Sequence, residues 1–146
     1  MCYAIIAISA FFVYLEPIFN PLHFLIGKAY KVENNVIIGP YPHYNELKKL
    51  KKRFGVDYDI SLLDSDIPPE KFFLEEESKN CKLLEIKFLN FPMFYRPLRT
   101  KEHIATATAI AHFILNNKDK KFYIHCYRGI NRAGLVRDVL ENYEKK

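Results

Sequence analysis

Cysteine is scarce in this chain of 146 residues: Cys2, Cys81 and Cys126 stand at irregular spacings. An odd number, with no Cys-x-x-Cys pair and no nearby second histidine, argues against a disulfide framework or a metal finger. Such thiols suit a reduced, cytosol-facing setting. Basic residues are missing from the N-terminus. The stretch MCYAIIAISAFFVYLEPIFNPLHFLIGK has no charge before Glu16 and no base before Lys28, so it lacks the basic opening of a signal peptide. It also lacks the run of about 20 apolar residues that a spanning helix needs, because Glu16, Pro17, Pro21 and His23 interrupt it. Residues 1–28 are therefore set apart from a domain at 29–146. They read either as an apolar arm packed on that domain or a second copy, or as an imperfect membrane anchor with Lys28 and Lys31 on the cytosolic side.

The remainder has no internal repeat, no low-complexity segment and no Gly/Ser linker, and it is too short to divide into two comfortable domains. With 49% hydrophobic and 27% charged residues the chain is globular rather than disordered. Its net charge of +5 favours anionic partners. The lysines of ELKKLKKRFG are the solvated face of a helix, and no specific nucleic-acid motif accompanies them.

Strand and helix signals alternate. A β-branched run at Val36 to Ile38 closes on Gly-Pro, and HYNELKKLKKRFG follows as a helix with Leu47 and Leu50 on one face and Gly55 as its stop. YDISLLD is a second strand, and PEKFFLEEESKN a helix with Pro69 near its start. The third strand is read from Leu83 to Leu89. The helix TKEHIATATAIAHFILNN is opened by Thr100 and turns Ile104, Ala107, Ala111 and Ile114 inward. KKFYIHC is the last strand, and RAGLVRDVLENYEKK the final helix, with Leu135, Val136, Val139, Leu140 and Tyr143 inward. This alternation predicts an α/β fold with a mostly parallel central sheet of four to five strands flanked by helices. Functional groups then gather at the carboxyl ends of the strands, in the loops after Leu63, Leu89 and His125.

The last of these loops carries the chemistry. In FYIHCYRGINRAG, Cys126 follows a strand and Arg132 opens a helix. A loop feeding a helix N-terminus points backbone N–H groups inward and makes an anion cradle. Here it is formed by Tyr127, Arg128, Gly129, Ile130, Asn131 and Arg132, with Gly129 allowing a left-handed backbone. A thiol in that field is expected to be substantially thiolate. Arg132 offers a planar fork for two phosphate oxygens. His125 is expected to orient the loop rather than transfer protons. Nucleophile and cradle together call for no metal and no organic cofactor. A buried structural cysteine beside a tight turn is the bland alternative.

These residues resemble the His-Cys-x5-Arg loop of the protein tyrosine phosphatase superfamily. NVIIGPYP, a helix, ISLLD and FLNFP are similar to the order of elements in small atypical dual-specificity phosphatases, where a hairpin leads into the α/β core. The resemblance implies that Cys126 attacks phosphorus to form a phosphocysteine and that Arg132 holds the phosphoryl oxygens. It implies phosphorylated substrates: protein, inositol phosphate or phospholipid. Membrane contact through residues 1–28 belongs only to the anchor reading of that apolar segment. Arg128 is similar to a basic position in members acting on inositol phosphates or phosphoinositides.

The sequence departs from the pattern at three places. Ala133 stands where the family has Ser or Thr, whose hydroxyl helps the thiolate leave; plant glucan phosphatases also tolerate alanine there. The family's general acid is an aspartate in the loop after the third strand. This loop, MFYRPLRTKEH, has none, and its acid position falls on or beside Phe94 and Tyr95. Surrogates are Asp64 and Asp66 on the same sheet edge, or Glu102 or His103 from the next helix, although Asp64 and Asp66 also suit plain turn and capping chemistry. An acidic leaving group would need no acid at all. The chain also carries one helix after the cysteine loop where family domains add more, and the apolar residues 1–28 are a candidate filler. Arg96 and Arg99 either extend a positive mouth or lie solvated, and Tyr127 either stacks on a substrate ring or packs on the sheet edge. A phosphate-binding pseudophosphatase or scaffold is the alternative function.

Overall fold

The computed structural model describes residues 30–33, 35–95 and 97–144. A five-stranded sheet lies at its centre, in the order β1-β2-β5-β3-β4. β1 (Tyr30–Glu33) and β2 (Val36–Gly39) form an antiparallel hairpin. The other three strands, β3 (Tyr58–Ser61), β4 (Lys87–Asn90) and β5 (Phe122–His125), run parallel to β2 and to one another. Four helices connect them: α1 (Tyr44–Phe54), α2 (Pro68–Leu83), α3 (Lys101–Leu115) and α4 (Asn131–Glu144). This is the mostly parallel α/β architecture that the alternating signals predict.

The two-residue period of the strands assigns side chains to two layers. In β5, Phe122 and Ile124 enter the main core with Ala107, Ile110, Ala111 and Ile114 of α3 and Leu135, Val136 and Leu140 of α4. Tyr123, one residue out of phase, packs instead with Leu47 and Leu50 of α1 and Cys81 of α2. β3 splits the same way: Ile60 joins the α3/α4 layer, while Asp59 faces Cys81 and His125 on the other side. The helix ends follow local chemistry. Thr100 Oγ1 accepts from the His103 N–H at 3.2 Å, capping α3. Gly55, at φ 68°, closes α1 with its N–H on the Lys51 carbonyl.

Three expectations shift. β4 begins at Lys87 rather than Leu83, because α2 runs on to Leu83 to bury Glu77 and Cys81, four residues apart, against the sheet. The chain then turns through Glu85 in the left-handed region, φ 54°. Ile104, read as inward, is 45% exposed, and Ile110 is the fully buried isoleucine of α3 alongside Ile114. Tyr143, also read as inward, stands out on α4 beside His112, ring centroids 5.1 Å apart. Residues 1–28 lie outside the described residues. Among those described, no helix is long and apolar enough to cross a membrane.

Candidate active site

Cys126 sits at the carboxyl end of β5, buried against the main core, and five residues separate it from Arg132 in the first turn of α4. The loop between them is pressed onto the end of β2. Gly129 adopts φ 68°, and a Cβ there would lie 2.5 Å from the Gly39 carbonyl oxygen and 2.6 Å from the Pro40 nitrogen. Any side chain would collide with backbone, so only glycine closes this turn. The Tyr41 N–H donates to the Tyr127 carbonyl at 3.2 Å, and the Gly134 N–H donates to that of Ile130 at 3.0 Å. Arg128, Ile130 and Asn131 are exposed. Tyr127 is half-buried, its ring 5.7 Å from that of Phe73. Ala133 is fully buried in the main core.

Arg132 is gripped by the protein. Nη1 donates to the Leu62 carbonyl at 3.0 Å, to Glu70 Oε2 at 2.9 Å and to the Met93 carbonyl at 3.2 Å; Nη2 donates to Glu70 Oε1 at 2.5 Å. Burial works against the cation, but the paired Glu70 carboxylate outweighs it and raises the guanidinium pKa, with the Cys126 sulfur adding to the effect. One edge of the fork therefore belongs to Glu70. The edge left for a ligand is Nε with the second Nη2 hydrogen. Glu70 Oε2 also accepts from the Asp64 N–H at 2.7 Å, tying the loop after β3 to Arg132. Sequence reading missed Glu70, which looked like an ordinary first-turn acid of α2.

The four surrogate acids come together. Asp64, Asp66, Glu102 and His103 line one cavity of about 430 Å³ with Pro92 and Phe94. Asp64 Oδ1 accepts from the Asp66 N–H at 3.0 Å, an Asx turn of the kind its position suggests. His103 is buried and its Nδ1 has no hydrogen-bond partner. Arg99 does not extend the mouth: it pairs with Asp138 of α4 at 2.6 Å, and its backbone is left-handed, φ 64°. Arg96 lies outside the described residues. A second, apolar cavity of about 210 Å³ is lined by Ile67, Pro69, Glu70, Phe73, Tyr95 and Tyr127.

His125 points away from this pocket, into the α1/α2 layer. It is fully buried with Asp59 of β3 and Glu77 of α2, two acids the sequence reading did not single out. Burial pushes the Glu77 carboxyl up to about 8. It also raises Asp59, with the Glu77 charge adding to the effect. Burial lowers His125 despite the pull of Asp59.

No family model matches the sequence, and no curated protein matches it. Solved structures do match its fold. The core catalytic domain of the PP-IP phosphatase Siw14 from S. cerevisiae superposes with a TM-score of 0.67 at 18% identity, over 82% of this chain and 68% of that one. A mutant form of Tk-PTP gives 0.63 at 19%, over 82% and 73%. PTPMT1 gives 0.63 at 19%, over 81% and 74%. The fold of this chain is that of the small tyrosine and dual-specificity type phosphatases.

Proposed function

We propose that the chain is a cysteine-dependent phosphomonoester hydrolase of the dual-specificity type. The observation that carries this reading is the buttressed pair: Arg132 is held beside the Cys126 sulfur by a buried, bidentate Glu70. Such a grip presets the open guanidinium edge for phosphoryl oxygens before substrate arrives. In the first step the Cys126 thiolate forms an S–P bond as the P–O bond to the leaving group breaks. In the second, water attacks phosphorus, the sulfur departs with its electron pair, and phosphate is released. Arg128 and the rest of the loop at 127–132 bind the phosphoryl group, and His125 supports the loop from behind.

The protonation of the leaving group shapes the substrate. The loop after β4 has no aspartate, so an alkoxide must take its proton from the cavity wall at Asp64, Asp66, Glu102 or His103. A leaving group that is already acidic needs none. Aryl phosphates and phosphoanhydrides meet that condition. The apolar cavity beside Glu70 and Tyr127 has room for a ring, and the Siw14 core is a PP-IP phosphatase. The expected activity is therefore on aryl or anhydride phosphate.

Hydrolysis of an aryl phosphate by the parent and by Cys126→Ser tests the reading. Release by the parent and none by the variant is expected. Rates of Asp64→Asn and Asp66→Asn on an alkyl phosphate then test the surrogate acids, which fail if neither rate changes. A phosphate-binding scaffold is the second reading, favoured by Ala133 filling the core where a hydroxyl would assist the second step. Phosphorylated ligands bound by the parent without turnover would select it.

A further inference from the structure

The cluster behind the cysteine loop has no role in the chemistry above. Asp59, Glu77 and His125 are each fully buried. One ligand atom from each lies within 4.8 Å of the others. His125 Nε2 touches Glu77 Oε1 and is 3.5 Å from Asp59 Oδ1. Beyond this contact and the approach of Asp59 and Ser61 to Glu77, none of these three atoms, nor Glu77 Oε2, His125 Nδ1 or the Ser61 hydroxyl, has a well-formed hydrogen bond. Buried polar atoms are almost always satisfied, so six in one place that meet little but one another need an explanation. Were both carboxylates ionised, they would need a counter-charge. Among the described residues no lysine or arginine nitrogen comes within 4.0 Å of either.

We propose that Asp59, Glu77 and His125 form a buried site for one divalent transition-metal cation of the zinc type. The charges then close: two carboxylates, a neutral imidazole and a +2 ion sum to zero in a region with no access to water. The donor set chooses the class. An imidazole nitrogen among carboxylates suits zinc, iron or manganese, and is a poor ligand for calcium or magnesium. Bonds of about 2.0–2.2 Å allow opposite ligand atoms to stand roughly 4 Å apart, so small side-chain adjustments complete the site.

Surrounding groups orient the ligands. The Cys81 thiol donates to Asp59 Oδ2 at 3.2 Å, which leaves Oδ1 facing the site. Tyr123 stacks on the His125 ring at 5.7 Å and Tyr41 meets it edge-on at 5.9 Å. Supporting partners of this kind fix ring and carboxylate geometry at metal centres. Because every ligand is inaccessible, the ion enters as the chain folds and acts structurally, pinning β3, β5 and α2 behind the residue that precedes Cys126.

The full chain carrying Cys126→Ser, which removes the loop thiol as a competing zinc ligand, supplies the test. It is unfolded in urea with a chelator, then refolded with Zn²⁺ or with chelator alone. The expected result is one equivalent of zinc retained after gel filtration and a higher urea midpoint for the zinc-refolded protein. Asp59→Asn and Glu77→Gln, which relieve the charge repulsion and so fold without metal, should lose both the stoichiometric zinc and the midpoint difference. Equal midpoints with and without Zn²⁺ would overturn the site. So would a Glu77→Gln protein that keeps one equivalent, or zinc-free variants more stable than any zinc-refolded parent, since shared protons would then hold the cluster. None of these outcomes depends on phosphatase activity.

Discussion

Arg132 gives one edge of its guanidinium to Glu70, and this contact decides how the site is held. A buried charge left without its partner is costly, and breaking such pairs typically costs about 3–5 kcal/mol. Glu70→Gln keeps the shape and loses the charge, so Arg132 is left with only the Leu62 and Met93 carbonyls and a neutral amide to hold it. We expect kcat/KM on an aryl phosphate to fall at least tenfold while the protein stays folded, because misplacement of about 1 Å can cost up to about 10²-fold. Unchanged kinetics would mean that the pair does not orient Arg132. Gly129 is the second decisive residue. Gly129→Ala puts a Cβ into the backbone of Gly39 and Pro40 in a left-handed conformation. Circular dichroism melts should show a lower Tm than the parent, together with weakened phosphate binding. The placement of Cys126 and Arg132 on one strand-to-helix loop, and the left-handed Gly129 between them, were legible because that loop is local in sequence. Glu70 was not, since nothing in DIPPEKFF says that this acid reaches across 62 residues. Asp59 and Glu77 stayed hidden for the same reason: a charged residue in a strand or helix reads as solvent-facing until packing shows otherwise.

At the scale of elements, periodicity served well where a face was uniformly buried and failed at the ends. Phe122 to His125 and the leucines of α1 follow their periods, so β5 and α1 were readable. The start of β4 was not, because Leu83 and Leu84 extend an apolar run that belongs to the end of α2 and its turn. The loop after β4 lacks the expected acid, and Arg99 near its end makes a contact of another kind. Arg99 holds a left-handed backbone while its side chain reaches Asp138 on α4. Arg99→Ala removes the pair and keeps the strain, whereas Arg99→Gly removes both. Urea unfolding should therefore rank parent, glycine and alanine variants in falling order of stability, within a span of roughly 1 kcal/mol. An alanine variant more stable than glycine would refute the strain. Partial burial raises the Asp138 carboxyl, but Arg137 and Arg99 outweigh it and hold it below its ordinary 3.8. Its contribution is thus full above about pH 4 and fades as pH falls through the lowered value.

Across the whole molecule, β5 divides two kinds of chemistry. Beyond its carboxyl end lies the Cys126 loop with Arg132; behind it, His125 faces Asp59 and Glu77. The net charge of +5 favours anionic molecules in general and chooses no particular partner. Fold class and the position of the cysteine loop could be read from the chain because both rest on alternation of strand and helix. The assembly of Asp64, Asp66, Glu102 and His103 around one cavity needed the tertiary structure. The central claim is that Cys126 carries the phosphoryl group during turnover. Acid quenching of the parent protein within milliseconds of mixing with a ³²P-labelled aryl phosphate, followed by peptide mapping, tests it directly. The account predicts label on the peptide containing Cys126 and none in Cys126→Ser. Phosphate release without labelled peptide, or undiminished release by the serine variant, would contradict it.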